Sequence, residues 1–305
     1  MPRLTALFMP MFFVAFTNAS DVPPPAQLQS NKPEIVVAGL LGGAVIVPVA
    51  QFIAGQWVNT WPTAGEDAPR NISSETDIPK TWYPYGPIPR LWFGWDIKGK
   101  STSLKIGSPT TAQAHCGDIW GYSTERKPTD HETTGLATTA TSGVTVFQRM
   151  PQDQQLQDLV KSELTRAVAL RPNKYDKAAT TSDKLMEFID CATVDNIHEK
   201  LCSFYASSAQ TVPPQPERTA CDDLTVVQGW MLKRKSAAQL LVTSATYTDC
   251  DAVMLRTQSP ELIVNISGRV FVFAKEHGYE DESFMIYELV DGLLKLMLEV
   301  PGTGC

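Results

Sequence analysis

The 305-residue sequence holds only four histidines, no CxxC pair and no Cys/His cluster at zinc spacing, so a structural zinc site is not expected. It also lacks a GxSxG elbow, a Walker-type phosphate loop, a GxGxxG stretch and an EF-hand loop. Those absences remove the common signatures of serine hydrolases, nucleotide-binding folds and calcium switches. His131-Glu132 is not followed by a second histidine at the spacing of a zinc-protease helix. A strong charge of either sign is missing as well. Lys plus Arg total 26 and Asp plus Glu 33, a formal net charge of −7. Such mild acidity gives no support to a nucleic-acid or anionic-membrane partner. No repeat period is regular enough to define a propeller.

What is present begins with an export pattern. Arg3 is followed by a largely apolar run over residues 4–16, and Thr17-Asn18-Ala19 offers the small residues that a signal peptidase reads. Residues 1–19 therefore read as a signal peptide, with an uncleaved N-terminal anchor as the alternative. Residues 20–33, rich in Pro, Gln, Ser and Asn, read as an extended leader.

Residues 34–62, EIVVAGLLGGAVIVPVAQFIAGQWVNTWP, decide the reading of the remainder. Residues 35–55 carry no charge and are long enough to cross a bilayer, with Trp57 and Trp61 as an interfacial belt. Against a span, Gly42-Gly43 lies between two β-branched runs, where a hairpin turn belongs. Gly39 and Pro48 disfavour a helix, and a strand buried on both faces also gives an unbroken apolar run. The expectation is two or three strands outside the lipid.

Further strands are expected over residues 90–97 and 101–106, flanking the Lys98-Gly99-Lys100 turn, then over 110–123, and over 136–150 as a strand or hairpin around Ser142-Gly143. Residues 151–170 carry Leu156, Leu159, Val160, Leu164, Ala167 and Val168 at helical spacing, and Pro172 stops the pattern. Beyond it, strands are expected over 185–194 (with a short helix at 185–189 as the alternative), 200–210, 224–233 and 239–247. Two hairpins follow, around Ser267-Gly268 and Asp291-Gly292. The fold class is mainly β, built of antiparallel hairpins and meanders in a sandwich, barrel or propeller-like arrangement, with one inserted amphipathic helix. The chain divides into an N-terminal β region (34–150), the helix (151–171) and a C-terminal β region (172–305) that can share one domain with the first.

Six cysteines behind an export pattern suggest disulfides. Cys191 and Cys202 are equidistant from Asn196-Ile197, and Cys221 and Cys250 from Lys235-Ser236. If each segment is a hairpin, each pair faces across two strands at bridging distance. The expected pairs are Cys191–Cys202, Cys221–Cys250 and, by remainder, Cys116–Cys305.

Three stretches carry a resemblance: PVAQFIAGQWVNTWP at 48–62, YTDCD at 247–251 and GYEDESFMIYEL at 278–289. Together they resemble a group of uncharacterised exported bacterial β-rich proteins with an opening strand pair, a Gly-x-x-Trp turn and a Trp-Pro stop. The resemblance implies a β reading for 34–62 and carries no activity and no catalytic residue.

Candidate sites therefore rest on residue types. Trp82, Tyr83 and Tyr85 lie among Pro84, Pro87 and Pro89 and could form an aromatic platform for a surface glycan or a protein partner. The alternative is that aromatics of residues 81–95 pack into a core, and this is the expectation for Trp92, Phe93 and Trp95. Asp249, Asp251 and Glu280 could bind a hard cation such as Ca²⁺, and His277 could act as a base with Glu280 as its carboxylate partner. The alternative there is a solvated turn at 280–282. His115 and His198 read as isolated residues. Asn71 and Asn265 match the glycosylation pattern, which bears only on a eukaryotic secretory route. The reading is a soluble exported protein (periplasmic, cell-surface or extracellular) with a binding or structural role. A metal-assisted hydrolase using the acidic cluster is the second hypothesis.

Overall fold

The computed structural model describes residues 33–61, 72, 74–78, 88–114, 117–125, 133–150, 153–170, 180–194, 199–212, 221–235, 237–248 and 255–304. The fold is mainly β with one α-helix among the described residues, as expected. No described helix is long and apolar enough to cross a membrane.

The first layer is a barrel. It comprises β1 (Ile35–Leu41), β2 (Val45–Ile53), β3 (Gln56–Asn59), β4 (Leu91–Asp96), β5 (Ser101–Ala114), β6 (Gly117–Thr124) and β7 (Thr133–Thr138). The pairing order β1-β7-β4-β5-β6-β2 closes through the β1–β2 ladder, while β3 hangs from the end of β2. Gly42 and Gly43, at φ 55° and 69°, make the tight turn between β1 and β2 in a region that favours glycine. Val36, Ala38, Leu40, Ile46, Trp92, Leu104, Ile106, Tyr122 and Ala137 fill the interior.

The apolar run is buried on both faces. The β1–β2 register skips Val49 between the pairs Val37↔Ala50 and Ala38↔Pro48. This bulge resets the alternation, so Val47, Val49, Ala50 and Phe52 all join the outer core. An unbroken apolar sequence results without any membrane contact being needed.

The second layer covers that outer face. It contains β8 (Val144–Val146), β14 (Thr257–Ile266), β15 (Arg269–His277), β16 (Asp281–Val290) and β17 (Leu293–Gly304), in the order β17-β16-β15-β14-β8. Its turns are Ser267-Gly268 and Asp291-Gly292, all four residues at positive φ, as the expected two-residue hairpins require. Phe271, Phe273, Phe284 and Ile286 meet Phe52, Trp57 and Trp61 of the barrel. Arg269 donates to both Glu288 carboxylate oxygens at 2.7 and 2.9 Å and to the carbonyl of Gly55 at 2.8 Å, tying the sheet to the β2–β3 turn.

The third layer contains β9 (Gln148–Arg149), β10 (Thr180–Val194), β11 (Glu199–Val212), β12 (Cys221–Lys233) and β13 (Ala238–Thr248), in the order β13-β12-β11-β10-β9. Val194, Leu201 and Trp230 pack on the far face of the second layer, against Ile263, Val272 and Met285. The helix α1 (Gln154–Leu170) covers the other side through Leu156, Val160, Leu164 and Ala167. Asp153 caps it, accepting from the Leu156 N–H at 3.4 Å.

Three expectations change. Residues 110–123 are not one strand: β5 ends at Ala114 and β6 starts at Gly117, and the two pair. Nothing in the alternation marks that turn. Residues 136–150 form no hairpin. Here β7 stays in the barrel while β8 pairs with β14 and β9 with β10. Gly143 sits at φ 75° against β14, where a Cβ would meet the Asn265 carbonyl oxygen at 2.6 Å, so this glycine serves a close backbone approach and not a hairpin tip. Val168, placed on the buried stripe of α1, is instead 36% exposed, because the stripe that meets the sheet is narrower. The short-helix alternative for 185–189 is also replaced, since these residues lie within β10.

Candidate functional site

The aromatic candidates Trp82, Tyr83 and Tyr85 lie outside the described residues, as do Asp249 and Asp251. Cys116, Cys250 and Cys305 fall outside them too, whereas Cys191 and Cys202 form a disulfide across directly opposed positions of β10 and β11.

The remaining members of the acidic hypothesis, His277 and Glu280, lie among the described residues. His277 closes β15, opposite Thr257 on one side and Glu282 on the other. Glu280 is exposed in the turn to β16. Its neighbours are not uniformly solvated, since Asp281 is 45% exposed and Glu282 is buried. The Asp281 carboxylate accepts from Arg256 at 2.7 Å, and Glu282 points inward to Lys275 at 2.6 Å with its side chain 5% exposed. Among the described residues, no three His, Cys, Asp or Glu side chains are grouped to hold a metal ion.

Arg256 instead anchors a polar clamp between the second and third layers. It donates to Glu276 at 2.9 Å and to Asp281 at 2.7 Å, and these carboxylates hold its guanidinium above the ordinary value. Gln258 donates to Glu276 and to the Tyr287 hydroxyl, both at 3.1 Å, and accepts from the Trp230 indole at 3.3 Å. Burial pushes the Tyr287 phenol up. Each of these groups spends its hydrogen-bonding capacity on another, as a structural network does.

An open concavity lies elsewhere, where all three β layers meet. A cavity of about 360 Å³ is lined by Lys98 and Gly99 of the β4–β5 turn, residues 144–146 of β8, and Gln148 and Arg149 of β9, with Met150 beside them. Cys191, Ala192 and Thr193 of β10 and Lys200 of β11 complete the wall. Sequence assembles these walls by simple means. Gly99, at φ 80°, turns the hairpin that presents Lys98. Asp96 holds that turn by accepting from the Lys98 and Lys100 N–H groups at 2.9 and 2.8 Å. The disulfide fixes β10 to β11 behind the cavity.

The electrostatics are one-sided. Arg149 forms an ion pair through Nε with Asp190 at 2.7 Å and stacks on Phe188, 4.6 Å from the ring centroid. Lys200 lies directly opposite Lys233 in the β11–β12 ladder. Lys233 is paired with Asp153, whose carboxyl is held below its usual range chiefly by that hydrogen bond. Arg234 is paired with Glu199 at 2.8 Å. Among the described residues Lys98 has no carboxylate partner, and the Lys200 ammonium donates to the Met150 thioether, at 3.5 Å. Among the described residues, no lining residue is a histidine, serine or carboxylate.

Sequence reasoning missed this site. Lys98 was legible as a turn residue and Lys200 as a strand residue, but their meeting depends on how barrel and third layer stack. No family model, no curated protein and no solved structure matches the chain.

Proposed function

We propose that this is an exported, non-catalytic binding protein that takes a small ligand into the cavity between its three β layers. The observation that carries the reading is the described lining: cations, threonines, a glutamine and apolar groups, with no nucleophile beside a base among those residues. The Cys191–Cys202 disulfide fits an oxidising compartment, in keeping with the export pattern of residues 1–19. Trp82, Tyr83 and Tyr85 stay candidates for a second contact surface, tested by alanine substitution of all three.

The test of the cavity is a small-molecule and monosaccharide screen read by calorimetry, repeated on Thr193→Trp. Thr193 is an exposed wall residue, so the indole fills space without entering a core. A ligand of the wild type that binds about tenfold or more weakly to the variant supports the reading. Equal binding by both proteins, or turnover of the ligand, removes it.

A further inference from the structure

The geometry points to an anion as the ligand of this cavity: a carboxylate or sulfate group, free or carried on a small sugar, held between Lys98 and Lys200. This rests on the proposed binding role and adds the class of ligand.

The chain as a whole carries −7, so surplus positive charge at one place is not background. Around the cavity, three cations have their own carboxylates: Arg149 with Asp190, Lys233 with Asp153, and Arg234 with Glu199. Among the described residues Lys98 and Lys200 have none, and both line the cavity. They come from different layers, 102 positions apart in the chain (200 − 98). Their convergence is therefore a product of the tertiary fold and not of a local lysine run.

Lys200 is also placed against another cation. Like charges directly opposite in an antiparallel ladder repel, and Lys200 faces Lys233. Asp153 neutralises Lys233 alone. A bound anion would give Lys200 a counter-charge on its cavity side. Arg149, ion-paired with Asp190 through Nε, places a further guanidinium on the same wall. Gln148 and Thr193 supply neutral hydrogen-bonding groups on the same wall, suited to hydroxyls beside the charge. A volume near 360 Å³ is at the small end for ligand pockets, which suits one sugar ring or a compact organic acid.

The experiment measures binding of glucuronate, glucose and inorganic sulfate to the full chain by calorimetry, at about 20 mM and about 300 mM NaCl. It compares wild type with Lys98→Gln, Lys200→Gln, the double glutamine variant, Lys200→Arg and Thr193→Trp. Thermal melting of each variant serves as the folding control. We expect glucuronate to bind about tenfold or more tightly than glucose, with high salt weakening it. Each glutamine variant loses about fivefold, the double variant loses nearly all binding, and Lys200→Arg keeps most of it. Sulfate binding with the same dependence assigns the site to a free anion, and glucuronate binding without sulfate binding assigns it to an acidic sugar. Glucose bound as well as glucuronate, unaffected by the double glutamine variant but lost in Thr193→Trp, overturns the anion and leaves the cavity standing. Anion binding lost in the double variant but retained in Thr193→Trp overturns the cavity reading itself. No binding of either anion overturns the inference.

Discussion

The Glu261 carboxylate accepts a hydrogen bond from the backbone N–H of Gly135 at 3.0 Å, joining β14 of the second layer to β7 of the barrel. The link exists because Glu261 is the extra residue of a bulge, skipped between Pro260↔Ala274 and Leu262↔Phe273. The bulge turns its side chain out of the regular alternation and toward the neighbouring layer.

Burial raises the pKa of this carboxyl from 4.5 to about 7, against the opposing effects of the Gly135 N–H and the Lys275 charge. A folded-state value above the unfolded one means that the native protein holds the proton more tightly. The stabilisation is therefore fully present below about pH 4.5 and is lost as pH rises through about 7. Part of the side chain still meets water, which softens the slope. Glu261→Gln keeps an acceptor for Gly135 and removes the titration. Melting temperatures taken from about pH 5 to about pH 8 should fall more steeply for wild type than for the variant, and parallel curves would refute the assignment.

Removal of the Cys191–Cys202 bridge has a size set by a short loop, since the two cysteines are 11 residues apart. The double alanine variant should lose about 2–3 kcal/mol in urea unfolding. It should also weaken any cavity ligand, because Cys191 is a wall residue. Unchanged stability would mean that the other ladder contacts of β10 and β11 carry the hairpin alone.

Glycines in the strands divide sharply. A Cβ at Gly229 would stand 2.1 Å from the Val242 carbonyl oxygen, whereas one at Gly39 would meet nothing closer than 3.6 Å. Gly229→Ala should therefore destabilise by about 2 kcal/mol or more, while Gly39→Ala should stay within about 1 kcal/mol. Equal effects in chemical denaturation would contradict the close approach of β12 to β13.

Gln51 is fully buried, and neither its amide oxygen nor its nitrogen has a hydrogen-bond partner among the described residues. The register pairs it with Val36, so it points into the barrel. Gln51→Met keeps the shape and removes the unsatisfied amide. A gain of about 1 kcal/mol is expected in thermal or urea unfolding. A loss would show that the amide finds a partner in solution.

Much of this fold was legible because its signals are local. The Ser267-Gly268 and Asp291-Gly292 turns declare themselves in two residues, and the symmetry of Cys191 and Cys202 about a turn fixes their register. The apolar stripe of α1 is equally local, and only Val168 at its margin departs from it. What escaped is non-local. Nothing near residues 144–149 announces that they leave the barrel, because their partners Val264 and Asp190 lie far along the chain. Glu282 reads as part of an acidic turn, yet strand alternation sends it inward to Lys275 while Glu280 stays out. Lys98 and Lys200 meet only once three sheets have stacked.

The layer that covers the barrel on one side and the third sheet on the other is made largely from residues 257–304, later in the chain than both of its neighbours. Until that section emerges, the outer aromatics Phe52, Trp57 and Trp61 and the inner face of β10–β12 have nothing to rest on. Early segments must wait in a loose, aggregation-exposed state for their shared centre to arrive. Such late consolidation makes chaperone dependence the expected consequence of this topology.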